Sequence, residues 1–147
     1  MLAPMPAQPH FSSAFFKFLR DLARNNTRDW FTENKPAYEE HVKAPLLRFI
    51  TDLKPKLAKI SPHLDVDPKP VGGSMMRLNR DTRFSKDKSP YKKCAGAMFG
   101  VDGAGEQKLG YYLSLAPPAE GGIKAYVGMW EPDGPSLEKI RTRILVK

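Results

Sequence analysis

A run of cations between residues 77 and 93 is the part of this sequence whose residue types and spacing best suit chemistry. It holds seven Lys and Arg residues and two acids, a net charge of +5. Neighbouring arginines can hold a phosphate or carboxylate through paired N–H donors, while lysines add less directional charge. The segment therefore predicts an anion-binding surface. Its expected members are Arg77, Arg80, Arg83, Lys86, Lys88, Tyr91 and Lys92.

Two acids and two aromatics are interleaved with these cations. Asp81 and Asp87 are expected to orient individual cations and to reduce their mutual repulsion. Phe84 and Tyr91 suit stacking on a base or another ring, but they suit equally well a role in pinning the loop to its domain.

The composition of the whole chain indicates a basic globular protein. The 147 residues carry a net charge of +8, so the 17-residue cationic segment accounts for most of the excess. Hydrophobic residues make up 41% and charged residues 27%, enough for a core, which excludes a disordered polyelectrolyte. The single cysteine, Cys94, excludes an internal disulfide and a cysteine-based zinc site, and we expect it to be a small buried residue at the start of a strand.

Neither a metal nor a cofactor is expected. The three histidines, His10, His41 and His63, are far apart and have no metal-ligand spacing. The Gly72-Gly73-Ser74 run precedes a predicted strand instead of a helix, so it does not read as a phosphate-binding loop.

The first ten residues contain three prolines and neither Lys nor Arg, which is unlike a secretory signal and predicts a flexible tail. No stretch approaches the ~18 apolar residues that span a bilayer, so no membrane partner is expected. The cytoplasm follows by elimination.

The N-terminal half has the periodicity of helices. In the first predicted helix, Phe15, Phe18, Leu19 and Leu22 form one apolar stripe, with Ser12 or Ser13 as cap and an end at Asn25-Asn26. Asn26 or Thr27 begins the next helix, which Trp30 and Phe31 anchor, and Pro36 restarts it. A second stripe then extends to about Ile60, with kinks or short breaks expected at Pro45 and Pro55. Its members are Tyr38, Val42, Leu46, Phe49, Leu53 and Leu57.

After a loop at residues 63–73, apolar residues recur about every 2 positions instead of every 3.6, which predicts strands. Four are expected, at residues 74–79, 93–101, 107–116 and 123–130, and the last three suit an antiparallel meander. In the first, Met76 and Leu78 would share one face. A final helix is predicted from Pro135, with Ser136 as its cap.

Helices followed by strands, without alternation, predict an α+β fold. We expect N-terminal helices packed on an antiparallel sheet of about four strands, with a C-terminal helix. Residues 1–10 would form the tail and residues 11–147 a single domain.

The basic run Arg-Asp-Thr-Arg-Phe-Ser-Lys-Asp-Lys-Ser-Pro-Tyr-Lys at residues 80–92 resembles the hallmark of an uncharacterised family of conserved hypothetical proteins, the domain of unknown function (DUF) 2461. The similarity covers residues 11–144. It includes Asn25-Asn26, Asp29-Trp30-Phe31, Tyr38, Gly110-Tyr111-Tyr112-Leu113, Trp130-x-Pro132, Leu137 and Ile140-Arg141.

The resemblance implies no activity, because none is established for the family. Its members are usually longer, which implies that this chain is a member truncated at its C-terminus. The chain also has Val127-Gly128-Met129-Trp130 where a Gly-Gly pair would be expected before the aromatic.

Three functions remain open. The first is a binding module for an anionic partner, either a nucleic acid or a phosphorylated small molecule. The second is a structural or interaction domain in which the Arg, Asp and Tyr residues of the basic run only stabilise their loop. The third is an enzyme acting on a phosphate- or carboxylate-bearing substrate, with Asp81 or Asp87 as base and Tyr91 as proton donor.

Overall fold

The computed structural model describes residues 9–101 and 108–146, apart from the side chains of Lys108 and Trp130. The predicted tail lies mostly outside these residues. Its last residue, His10, contacts the helical layer, because its imidazole Nε2 lies 2.8 Å from a carboxylate oxygen of Asp52 and its ring packs edge-on against Phe49.

The first helix, α1 (Ser13–Arg24), has the predicted apolar stripe, and all four of its residues are buried. Ser12 occupies the N-cap position, but its side chain makes no capping hydrogen bond. The helix ends at Asn25, as predicted. The backbone N–H and the side-chain amide of Asn25 both donate to the carbonyl of Asp21.

Two short helices follow, α2 (Arg28–Glu33) and α3 (Lys35–Tyr38). Thr27 caps α2 by accepting a hydrogen bond from the backbone N–H of Trp30, which confirms one of the two expected starts. Pro36 lies in the first turn of α3, as predicted, where its missing N–H costs no helical hydrogen bond.

A π-helical turn at Glu39–Lys43 connects α3 to the long helix α4 (Ala44–Ile60). This is the break expected near Pro45, which has no N–H to donate to the carbonyl of His41. By contrast, α4 continues through Pro55 and ends at the predicted residue.

The sheet has three antiparallel strands in the order β1 (Ala95–Gly100), β2 (Lys108–Leu115) and β3 (Ile123–Trp130). Ala97 pairs with Leu113 and Leu113 with Ala125, so side chains of the same parity share a face on all three strands. The α+β class and the meander are thereby confirmed, with three strands instead of about four.

The strand expected at residues 74–79 was wrong. Only isolated bridges form there, from Met75 to Ala97 and from Asn79 to Tyr91, because the chain runs beside β1 for about three residues and then turns away. The predicted alternation fails for the same reason. Met75 and Leu78 are the buried apolar residues, instead of Met76 and Leu78 together.

The core lies between the N-terminal helices and one face of the sheet. Phe15 and Leu19 of α1, together with Leu46 and Ile50 of α4, form one cluster with the alternate β1 residues at positions 95, 97 and 99. This cluster also contains Tyr91, which joins the cationic segment to the core. Cys94 immediately precedes β1 and is half-buried.

The C-terminal helix, α5 (Gly134–Leu145), begins earlier than predicted. Its cap is Asp133 instead of Ser136, because the Asp133 carboxylate accepts a hydrogen bond of 2.7 Å from the backbone N–H of Ser136. The apolar stripe of α5 is not buried, and Ile144 is largely exposed.

None of the helices in the described parts of the chain has the length and apolar character needed to cross a membrane.

Candidate functional site

The cationic segment, residues 77–93, forms a loop that is closed at its base by backbone hydrogen bonds. We call it the basic loop. The N–H of Lys92 donates to the carbonyl of Leu78 at 2.8 Å, and the N–H of Arg80 donates to the carbonyl of Pro90 at 2.9 Å. These two bonds bring the ends of the loop together, so that residues 81–89 project from a fixed base.

Tyr91 fastens this base to the helical layer. Its side chain is 8% exposed, and its ring stacks on Phe31 of α2 with the ring centroids 4.3 Å apart. Of the two roles that its position suggested, the geometry favours the pinning of the loop, because a ring packed on Phe31 offers little surface to a ligand.

Asn26 is a structural residue of the site that the sequence indicated only as part of a helix break or as the start of the next helix. Its side-chain amide donates to the carbonyl of Tyr91 at 2.9 Å and accepts from the N–H of Tyr91 at 3.0 Å. The only signal in the sequence is the Asn25-Asn26 pair itself, which cannot indicate a partner 65 residues away.

Arg80 is the central donor of a hydrogen-bond network inside the loop. Its guanidinium pairs with Asp87 at 2.5 Å and donates to the hydroxyl of Ser89 at 2.6 Å and to that of Ser85 at 3.3 Å. Its side chain is only 25% exposed. Arg80 was expected to bind an anion, and both of its terminal nitrogens donate hydrogen bonds within the loop.

Arg83 is arranged differently, because it lies on the surface. Its guanidinium forms a two-pronged ion pair with Asp81, with the shortest contact 2.7 Å, and its side chain is 77% exposed. The carboxylate of Asp81 bonds to the Nε and Nη2 side of the guanidinium. The charge of Arg83 is therefore partly neutralised, but its side chain remains open to solvent.

The two acids of the loop are held ionised by these contacts. The Arg83 guanidinium holds the pKa of Asp81 below its usual value. Hydrogen bonds from the backbone N–H and the hydroxyl of Ser89, and then from Arg80, lower the pKa of Asp87 to about 2. Each carboxylate pairs with one arginine of the loop, and a depressed pKa makes each a weak base at neutral pH.

The remaining cations of the loop are not neutralised by carboxylates of the described chain, with one exception. Lys93 lies 3.4 Å from Glu120. Lys88 and Lys92 donate to the backbone carbonyls of Thr82 and Arg77 at 2.9 Å, and these carbonyls carry no net charge. Arg77 and Lys86 are exposed. The loop therefore keeps most of its positive charge.

Phe84 projects from the apex of the loop with 95% of its surface exposed. The guanidinium carbon of its neighbour, Arg83, lies 5.8 Å from the centre of its ring, and Lys86 is exposed two residues further along. The Phe84 ring therefore buries almost no surface in the fold and lies beside cations.

No group of three or more His, Cys, Asp or Glu side chains comes together in residues 9–101 and 108–146 in a way that could hold a metal ion.

Comparison with known proteins identifies a family. The sequence profile described as "Conserved hypothetical protein (DUF2461)" matches residues 14–147, nearly the whole chain, and the chain belongs to that family. Searches of curated proteins and of solved structures gave no match.

Proposed function

We propose that this member of the DUF2461 family is a binding module for single-stranded nucleic acid, which it engages through the apex of the basic loop. The observation that carries this proposal is the fully exposed Phe84 ring between Arg83 and Lys86. Single strands offer phosphates to cations and unpaired bases to aromatic rings, and both features are present at this apex.

The proposal divides the cations of the loop into two groups. Arg77, Arg83, Lys86 and Lys88 face solvent and attract the phosphate backbone, while Phe84 stacks on a base. Lys92 adds charge at the base of the loop. Arg80 acts indirectly, because its bonds to Asp87, Ser85 and Ser89 hold the loop in one conformation.

A structural role for the network is the second candidate function. It is favoured by Arg80, which is mostly buried, and by Tyr91, which is locked between Phe31 and Asn26. A structural role does not account for the exposed Phe84, so we rank this function second. An enzyme that uses Asp81 or Asp87 as a base receives the least support, because both are committed to ion pairs.

The test is fluorescence anisotropy with a labelled oligothymidylate of about 15 nucleotides, a length suited to one binding site. Stacking on one base is worth about 1–3 kcal/mol, so Phe84→Ala should weaken binding about 5- to 150-fold. Lys86→Gln should weaken it less and should reduce the dependence of log K on log[salt] by about 0.7. Lys59→Gln, at an exposed site at the end of α4, is the matched charge control.

Three outcomes would overturn the proposal. They are an affinity that does not change between low and physiological salt, a Phe84→Ala variant that binds like the wild type, and binding to anionic phospholipid vesicles without binding to the oligonucleotide. Thermal unfolding of Phe84→Ala should match the wild type, since the ring has no core contacts to lose.

A further inference from the structure

The face of the sheet that points away from the helical core carries an ordered arrangement of tyrosines and glycines. The strand register aligns Met98 with Tyr112 and Tyr112 with Tyr126 in one row. The next row consists of three glycines, Gly100, Gly110 and Gly128, one on each strand.

The two outer glycines of this row leave open space beside the tyrosines, whereas a Cβ atom at the central Gly110 would overlap the backbone of the neighbouring strand. A side chain added at Gly100 or at Gly128 would meet no atom within 4 Å. The two tyrosine rings stack with centroids 5.8 Å apart and planes inclined by 28°, and the ring of Tyr112 lies over Gly96 on the other side of the row. The result is a floor of backbone beside a wall of two aromatic rings.

Two of the three glycines, Gly110 and Gly128, line an open groove together with both tyrosines. The groove has a volume of about 750 Å³, which is typical of small-molecule sites. Met76 and Met98 provide polarisable apolar walls, and Lys92 provides the charge. The ammonium group of Lys92 donates one hydrogen bond to the carbonyl of Arg77, which leaves two of its three donors for a ligand.

The electrostatics of the groove favour an anion. The described residues that line it include a lysine and no carboxylate. Burial, and then Cys94 beside it, raise the pKa of Tyr112, so this phenol stays protonated at neutral pH and adds no negative charge.

We propose that this groove binds a small molecule in which a planar ring carries a phosphate or carboxylate group. The ring would lie on the glycine floor against Tyr126, and the anionic group would meet Lys92 at the rim. This ligand site is separate from the apex of the basic loop, and it stands whether or not the apex binds nucleic acid.

The test is titration of the ¹⁵N-labelled full chain with adenosine monophosphate and, in parallel, with 1-naphthoate, while the backbone amide signals of Gly110 and Gly128 are followed. The two compounds distinguish a phosphate-bearing from a carboxylate-bearing ligand. At least one should shift both signals saturably at millimolar concentration. Adenosine and inorganic phosphate, which each supply one half of the chemistry, should bind about tenfold more weakly or worse.

Matched variants separate this site from the rest of the surface. Tyr126→Ala and Lys92→Gln should each weaken binding about tenfold, and because Tyr126 is half exposed, the first variant should still fold. The controls are Ile123→Ala, on the other face of the same strand, and Lys93→Gln, which neighbours Lys92 but faces Glu120. Both should bind like the wild type.

The proposal fails if neither ring-bearing anion shifts the two glycine signals, or if the control variants lose binding as much as the groove variants do. Failure of the nucleic-acid proposal is distinguishable. Phe84→Ala should leave binding of the ring-bearing anion unchanged, and Tyr126→Ala should leave oligonucleotide binding unchanged.

Discussion

The side-chain amide of Asn26 makes both of its hydrogen bonds to the backbone of one residue, Tyr91, which lies 65 positions further along the chain. It thereby satisfies the N–H and the carbonyl of Tyr91 much as a neighbouring strand would. The ring of Tyr91 stacks on Phe31 only five residues beyond Asn26. One end of the basic loop is therefore fixed to the start of the second helix through both its backbone and its side chain.

Asn26→Ala should destabilise the protein by about 1–3 kcal/mol, because it leaves two partly buried backbone groups of Tyr91 without partners. Urea unfolding followed by circular dichroism measures the change. Asn25→Ala is the matched control, since the Asn25 amide makes one exposed bond to Asp21, and it should cost under about 1 kcal/mol. Equal losses in the two variants would contradict this role for Asn26.

Arg80→Ala and Arg83→Ala should differ in stability, although each removes one arginine from one Arg–Asp pair. Arg80 is mostly buried and bonded to Asp87, Ser85 and Ser89, so its loss should cost about 1.5–3 kcal/mol. Arg83 is largely exposed and solvent screens its pair with Asp81, so its loss should change the stability much less. Thermal unfolding of both variants measures the difference. A larger loss of stability for Arg83→Ala than for Arg80→Ala would contradict the assignment of Arg80 to the network.

Asp87 should make part of the protein's stability depend on pH in the acidic range. Its pKa is lowered in the folded chain to about 2 from an ordinary value of 3.8. Its contribution is therefore fully present above about pH 4 and is lost as the pH falls towards 2. Asp87→Asn should be less stable than the wild type at pH 7, and the two should converge in acid. A stability difference that stays constant down to pH 2 would show that Asp87 is not linked to folding.

Gly110→Ala should destabilise the sheet, whereas Gly100→Ala should not. A Cβ atom at Gly110 would lie within van der Waals overlap of the Phe99 carbonyl oxygen and of Gly100, and neither backbone can move aside cheaply. At Gly100 the same atom meets open space. We expect a loss of more than about 1 kcal/mol for the first variant and a change within about 0.5 kcal/mol for the second. Urea titration of the pair is the measurement, and comparable stabilities would refute the close contact.

Local patterns in the sequence predicted the elements well. The stripe of α1, the end of α4 at Ile60 and the three-stranded meander all follow from spacing within one helix or one hairpin. Residues 74–79 were the exception, since a period of 2 over six residues also fits a segment that touches β1 only briefly. Asp133 was missed as a cap because Pro135-Ser136 offered an equally good local start.

The candidate site was located by the sequence but not resolved by it. Charge counting found the basic loop, since net charge depends on residue types alone. It could not separate Arg80 from Arg83, because each has an aspartate within seven residues and only one of the two arginines is mostly buried. Nor could the sequence show that Phe84 is exposed and Tyr91 buried, because both are aromatic residues of one loop, seven positions apart.

By itself, the sequence determined where the helices and the meander lie and where the positive charge is concentrated, because periodicity and charge are properties of neighbouring residues. Tertiary structure alone decided that Tyr91 enters the core while Phe84 faces solvent, and that three glycines line up across three strands. Both outcomes depend on partners that are distant along the chain. Burial and strand register depend on which surfaces pack together in the folded chain, and a pattern of neighbouring residues does not specify that packing.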